Sequence, residues 1–354
     1  MLDPLNIAIP LSHIETRPKA AGPKRFLLKP TEKPDEYILE WDYSGATHIM
    51  RCPRSAENYH VFRRELAKDQ SALGFGRLYH KFTETSLRHG LSEEVITRQN
   101  EQIAAHFMEF PCAPTDHRNA DMAFALQRLY NERYKNDGWR EKVFIFEGEP
   151  FIERPFKLEF CTIPVDRVIP YSPDLLLEKS NGTQKLLYIE SIHVQYVGRI
   201  DIVLEELSNL WVVDRKSSSR GGAEFEEAFR LSLQTRGYAW ALWKITGRRP
   251  MGCILDAAVV RKPTKTGKNT ELNRKPYFYS EESLLEFEQN MHAHVADFVG
   301  CLVRGFFPQS AQSFKSPCAG CDYVENCALP LSQRAADLST DIYRDVTWNP
   351  LTEQ

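Results

Sequence analysis

Two apolar-rich segments, His193 to Leu204 and Leu210 to Lys216, flank the short polar run Glu205-Glu206-Leu207-Ser208-Asn209. This pattern predicts a strand, a turn and a second strand folded back on it. A chain with such a hairpin near its middle must build a sheet around it. On a strand, alternate side chains share a face, so Asp214 and Lys216 project together and Arg215 points away.

The polar residues on these strands are chemically matched. Gly198-Arg199-Ile200-Asp201 places a carboxylate on the first strand, and Val212-Val213-Asp214-Arg215-Lys216 places a carboxylate and an ammonium on the second. Carboxylates can hold a divalent cation, and an ammonium can stabilise negative charge developing on phosphate or orient a water. Asp-x-Lys alone is weak, since exposed ion pairs are common and contribute little. Downstream, Gln234 and Tyr238 are four apart, one face of a predicted helix. Upstream, Gly76, His80 and Glu84 also share a helical face, ending near Gly90, with the glycine permitting close approach of another backbone. Taken singly, these are an ordinary helix edge and an ordinary histidine.

In order, Gly-x3-His-x3-Glu, Gly-x2-Asp, Asp-x-Lys and Gln-x3-Tyr resemble the RecB-like branch of the PD-(D/E)XK nuclease superfamily, from about Cys52 to Cys327. The resemblance implies an α/β (α+β) fold, a mixed central sheet flanked by helices. It implies Mg2+ or Mn2+ held by His80, Asp201 and Asp214 with the backbone carbonyl of Arg215. Lys216 would be the catalytic lysine, and Gln234 and Tyr238 would steady the site or the DNA. Glu84 would support the metal site, and Glu153 resembles a glutamate on an earlier strand of the family.

Eight cysteines are present, three of them in Cys318-x2-Cys321-x5-Cys327. No charged-then-apolar secretory leader is visible, so the expectation is a cytoplasmic setting, prokaryotic or phage-infected, in which clustered thiols bind metal. Three thiolates leave one ligand short. The resemblance supplies Cys52, in the position of the first cluster cysteine of RecB-like nucleases with a [4Fe-4S] cluster, such as AddB-type and CRISPR-adaptation exonucleases. A structural zinc ion is the alternative, and Cys112 the alternative fourth ligand. Cys161, Cys253 and Cys301 lie in apolar surroundings and read as core.

The chain has 354 residues, 42% of them hydrophobic, ordinary for a globular protein able to bury a sizeable core. No run approaches the ~18 apolar residues of a membrane span. With 45 basic and 48 acidic residues the net charge is -3, so any nucleic-acid surface must be local. Arg261, Lys262, Lys265, Lys268, Arg274 and Lys275 follow a predicted strand, Met251 to Val260. They read either as a basic hairpin tracking phosphates or as a solvated loop. Tyr277, Phe278 and Tyr279 after them read as base-stacking or core aromatics.

The expected organisation is an extended Pro-rich arm over 1–40, a nuclease-like domain over 41–327 and a polar tail over 328–354, with Trp348 and Pro350 as anchors. Inside the domain fall a helical insert (91–135), a loop or strand insert (161–190) and the cysteine cluster (318–327). Predicted helices run from Leu91 to Phe110, started by Ser92, from Ala120 to Tyr134 and from Glu281 to Arg304, the last with Leu284, Met291, Val295, Phe298 and Leu302 on one stripe. Predicted strands cover Tyr37 to Trp41 and Phe144 to Phe160. His292 and His294, two apart on a helix, make a poor metal pair.

By resemblance, the expected activity is a metal-dependent DNA exonuclease acting at single-stranded or unwound ends in recombination, repair or CRISPR and phage DNA processing. A structure-specific endonuclease or nickase and a non-catalytic DNA-binding or assembly subunit are the alternatives. The chain contains no Gly-x4-Gly-Lys-Ser/Thr phosphate loop, so ATP-driven unwinding would need a helicase or recombination partner.

Overall fold

The computed structural model describes residues 27–67, 71–112, 116–171, 176–177, 187–262, 270–310, 317–346 and 349–352. In chain order the strands are β1 (Leu28–Pro30), β2 (Glu36–Trp41), β3 (Arg64–Leu66), β4 (Ile145–Phe146), β5 (Glu149–Pro150), β6 (Ile152–Ile169), β7 (Leu187–Glu206), β8 (Asn209–Ser218), β9 (Gly252–Val260), β10 (Thr270–Phe278) and β11 (Tyr343–Asp345). The helices are α1 (Tyr43–Arg51), α2 (Pro53–Ala56), α3 (Ser71–His89), α4 (Glu93–Glu109), α5 (Ala120–Tyr134), α6 (Ala223–Arg230), α7 (Leu233–Thr246), α8 (Glu281–Arg304), α9 (Val324–Ala328) and α10 (Leu331–Leu338), with a π-helical turn over Glu57–Val61. No helix among the described residues is long and apolar enough to cross a membrane.

The fold comprises two compact units. One holds the described residues of Met1–Lys68, Lys157–Gly198 and Gln289–Thr352, the other those of Asp69–Phe156 and Arg199–Glu288, and β6, β7 and α8 contribute residues to both. In the first unit β1 runs antiparallel to β2, and β2 runs parallel to the start of β7, from Glu36 opposite Ser191 to Trp41 opposite Tyr196. Asp42 caps α1 by accepting a hydrogen bond from the Gly45 N–H at 2.9 Å. Trp41 packs on Phe298, and Phe298 on Phe307.

The expected polar tail is largely ordered structure. β11 pairs antiparallel with β3, and Arg64 donates to the carbonyls of Leu338 and Tyr343, each at 2.7 Å. A three-residue strand shows no readable period, so only its pairing reveals it. Trp348 and the first 26 residues of the expected arm lie outside the described residues. Residues 161–169 and 187–190, expected as an insert, continue β6 and β7.

The second unit contains the predicted hairpin. β7 and β8 are antiparallel from Ile202 opposite Val213 to Glu206 opposite Asn209, so the turn is only Leu207-Ser208. Both turn residues have positive φ, 49° and 64°, as in a type I′ turn matched to strand twist. β8 runs parallel to β9 and β9 antiparallel to β10, which makes the sheet mixed. Phe75, Leu78, Tyr79 and Phe82 of α3 form one core with Ile103 of α4, Ala123, Leu126 and Tyr130 of α5, and Ala258, Val260 and Leu272 of the sheet.

Local signals define these helix ends. Ser92 accepts from the Val95 N–H at 3.3 Å, as its place before Glu93 and Glu94 predicts, and α5 has the expected bounds. The stripe Leu284, Met291, Val295, Phe298 and Leu302 of α8 is fully buried.

Candidate functional site

Asp201 near the end of β7 and Asp214 on β8 lie in the second unit, 6% and 0% exposed. The Arg215 N–H donates to Asp201 Oδ2 at 2.7 Å, while Lys216 Nζ donates to Asp214 Oδ1 at 2.8 Å. Asp214 Oδ2 is buried with no hydrogen-bond partner among the described residues. Such an oxygen lacks the compensation a buried acceptor normally has.

His80 enters from α3. Its Nδ1 lies 3.1 Å from Glu153 Oε1 and 3.8 Å from Asp201 Oδ2, and its Nε2 lies 3.1 Å from the Arg215 carbonyl oxygen. Both ring nitrogens therefore face oxygens, an arrangement an imidazolium satisfies as a double donor. Donor atoms of His80, Glu153 and Asp201 lie within 4.8 Å of one another, a set able to hold a metal ion. Nitrogen with carboxylate oxygen suits a divalent cation. The orphaned Asp214 oxygen fits the same requirement.

Burial pushes the Asp201 and Asp214 carboxyls up, against the pull of His80 on the first and Lys216 on the second. Burial draws Lys216 down, but Asp214 and Asp201 together hold it above the usual lysine value. Burial likewise opposes protonation of His80, and Asp201 and Glu153 outweigh it. The groups thus hold one another's charges.

Glu153 is the main addition to the set inferred from sequence motifs, where it figured only through family likeness. Its backbone sits at φ 49°, a left-handed conformation costly for a non-glycine residue, and its carbonyl accepts from Arg199 Nη1 at 2.6 Å. Glu84 instead accepts from Arg88 Nε at 2.7 Å, and Arg88 Nη2 donates to the Ile152 carbonyl at 2.9 Å, bracing the residue before Glu153. Next to Gly76 is a side chain rather than the backbone expected: an added Cβ would lie 3.3 Å from Ser217 Oγ. Gln234 Nε2 donates to Tyr238 Oη at 3.1 Å within α7, which packs on β8 and β9.

The basic stretch is indeed joined to a hairpin, since β9 and β10 pair from Thr270 opposite Val260. Its members differ in placement. Lys262 is exposed and Arg261 pairs with Glu271 at 2.7 Å, whereas Lys265 and Lys268 lie outside the described residues. Arg274 and Lys275 belong to β10. Arg274 pairs with Asp137 at 2.6 Å and Asp256 at 3.1 Å, and Lys275 with Glu226 at 2.9 Å. Tyr277 and Tyr279 are core, and Phe278 is 67% exposed beside Trp211.

Cys52, Cys318, Cys321 and Cys327 all belong to the first unit, and none of them is disulfide-bonded. Cys52 is buried at the end of α1, where the Ser310 N–H points at its sulfur at 3.4 Å and Arg51 donates twice to the Pro317 carbonyl, at 3.2 and 3.0 Å. Burial raises the Cys327 thiol, and Cys52 is close enough to add to that shift. Cys112 belongs to the second unit. Cys253 and Cys301 are buried as expected, but Cys161 is only half-buried.

A mixed sheet that gathers carboxylates, a histidine and a lysine in one place is a frame suited to metal-dependent hydrolysis. The family model of the PD-(D/E)XK nuclease superfamily matches residues 41–328, and the chain belongs to that superfamily. Among solved structures, the chain is similar to a protein of Eubacterium rectale named "Putative exonuclease", with a TM-score of 0.45 and 10% identity, covering 82% of this chain and 89% of that one. No curated protein sequence matches it.

Proposed function

We propose that this protein is a metal-dependent DNA exonuclease of the RecB-like branch, acting at single-stranded or unwound ends in recombination, repair or CRISPR and phage DNA processing. The observation that carries the reading is the approach of His80, Glu153 and Asp201 to within 4.8 Å in a chain of the nuclease superfamily. His80, Glu153, Asp201, Asp214 and the Arg215 carbonyl would hold Mg2+ or Mn2+. Such an ion activates water and neutralises the scissile phosphate.

The remaining roles belong to side chains. Lys216 is 28% exposed and fixed by Asp214, so it presents a preorganised positive charge to the phosphate in the transition state. To serve as a ligand, His80 gives up one ring proton. Gln234 and Tyr238 orient Lys216 or the DNA, and Glu84 acts through Arg88. Arg261, Lys262, Lys265 and Lys268 contact phosphates, while Arg274 and Lys275 serve mainly the internal pairs described above.

Digestion of end-labelled linear and closed circular DNA with Mg2+ or Mn2+ tests the reading. Linear DNA should shorten from its ends while circles survive. Nicked circles would replace it with a structure-specific endonuclease, and binding without cleavage with an assembly subunit. A helicase partner would supply unwinding.

Cys52, Cys318, Cys321 and Cys327 are proposed to hold a [4Fe-4S] cluster. Their common unit and the proximity of Cys52 to Cys327 support this. Anaerobically purified protein should be brown, with iron and acid-labile sulfide, and Cys321→Ser should lose both the colour and stability, because the ligands join distant segments. Colourless protein with stoichiometric zinc would make the site a structural zinc centre instead.

A further inference from the structure

Asp256 is the one carboxylate in the otherwise apolar strand β9. It stands in register with Arg215 on β8 and with Arg274 on β10, a plus-minus-plus ladder across three strands. Cross-strand neighbours of opposite charge are a favourable sheet pairing. Arg274 is held on several sides: it donates to Asp256 and Asp137, and its guanidinium carbon lies 3.5 Å from the Tyr134 ring centroid and 3.3 Å from that of Trp139.

Arg215 is different. Its side chain is fully buried, its Nε lies 4.0 Å from Asp256 Oδ2, and none of its three side-chain nitrogens has a hydrogen-bond partner among the described residues. The Tyr79 hydroxyl is also buried without a hydrogen-bond partner among them. An arginine cannot shed its charge, so a hydrophobic residue of similar size would be the cheaper occupant. Its main chain lies within the candidate metal site, with the N–H on Asp201 Oδ2 at 2.7 Å and the carbonyl 3.1 Å from His80 Nε2. Strand alternation directs the side chain away from the face carrying Asp214 and Lys216.

We propose that Arg215 is a positioning residue whose buried charge, facing Asp256, holds β8 at the rotation that presents its peptide group to Asp201 and His80. The absence of any hydrogen bond from the guanidinium makes its charge, rather than its fork geometry, the working property. The inference rests on the nuclease reading for its activity measurement only, because metal binding is measured separately.

The test compares Arg215→Met, Arg215→Lys, Asp256→Asn and the Arg215→Met/Asp256→Asn double variant with the parent. Mn2+ binding is followed by loss of the free-ion electron paramagnetic resonance signal, beside thermal midpoints and single-turnover cleavage at saturating Mn2+. Arg215→Met should remain folded but weaken Mn2+ binding by about 10 to 100-fold, the range for losing an outer support of a metal site. Its cleavage rate should fall by roughly 100-fold, as for a displacement of about 1 Å. Asp256→Asn should act in the same direction, the double variant should be no worse than the poorer single, and Arg215→Lys should restore most of the Mn2+ affinity.

Wild-type Mn2+ affinity in folded Arg215→Met, additive losses in the double variant, or Arg215→Lys as impaired as Arg215→Met would each overturn the proposal. If Arg215→Met does not fold, Asp256→Asn and Arg215→Lys carry the same comparison. A parent that binds Mn2+ yet cleaves no DNA overturns the nuclease reading and leaves the metal-affinity comparison intact.

Discussion

His80 Nδ1 lies 3.1 Å from Glu153 Oε1, and Glu153 holds that contact from a left-handed backbone at φ 49°. A non-glycine residue kept in that region costs of the order of 1 kcal/mol or more, which the surrounding structure must offset. Such strain is expected where a side chain is aimed for chemistry.

Glu153→Gly should therefore separate stability from activity. Glycine adopts positive φ freely, so the variant should keep or gain about 1 kcal/mol of stability while losing Mn2+ binding and cleavage. Denaturant titration beside a nuclease assay checks both. A variant that is destabilised, or fully active, removes the strained-ligand account.

The buried carboxylates predict a metal-linked stability. Asp201→Asn and Asp214→Asn should abolish cleavage but raise the metal-free thermal midpoint, because without a metal ion burial penalises each carboxylate by more than His80 or Lys216 compensates. Mn2+ at about 100 times its Kd should stabilise the parent by about 2.7 kcal/mol and leave both variants unmoved. Equal Mn2+-induced shifts in parent and variants would exclude these aspartates as ligands.

Lys216→Ala should lower single-turnover cleavage by roughly 10² to 10³-fold, the effect of removing one preorganised electrostatic donor. DNA affinity in Ca2+ should fall far less, since each phosphate contact carries only a share of binding. Lys216→Arg should not restore full rate, because a planar fork sets its donors differently. A binding loss as large as the rate loss would leave Asp214 and Lys216 as a structural ion pair.

The turn between β7 and β8 asks for residues it does not have. Leu207 is 91% exposed at φ 49°, and Ser208 follows at 64°. Replacing the pair with Asn-Gly should stabilise the protein by about 1 kcal/mol without changing activity. No gain in denaturant midpoint would mean the turn geometry is otherwise.

Glu57 should make stability depend on pH. Burial holds its carboxyl above the ordinary value of 4.5, although Arg54 and the Tyr171 hydroxyl, 2.7 Å away, oppose the shift. A raised folded value means that its contribution is fully present below 4.5 and is lost as pH rises through that folded value. Glu57→Gln keeps an acceptor for Tyr171, so its midpoint should gain on the parent in the window that opens as pH rises above 4.5. A constant difference across that window would show that Glu57 is not raised.

Much of this protein is legible in local sequence. The alternation and apolar content of β7 and β8, the Ser92 cap and the buried stripe of α8 are short-range signals, each set by the geometry of a single strand or helix. They also placed Asp201, Asp214 and Lys216 on neighbouring strands. Tertiary structure alone decided how Glu153, 73 residues beyond His80, comes to meet it, and how Arg88 reaches the Ile152 carbonyl to brace it. It decided as well that Arg274, which reads as a phosphate contact or a solvated loop residue, pairs with Asp256, and that Arg215 is buried opposite the same carboxylate. The physical reason is range: periodicity and capping act over a few residues, whereas strand register and helix packing bring together side chains whose separation along the chain carries no local mark.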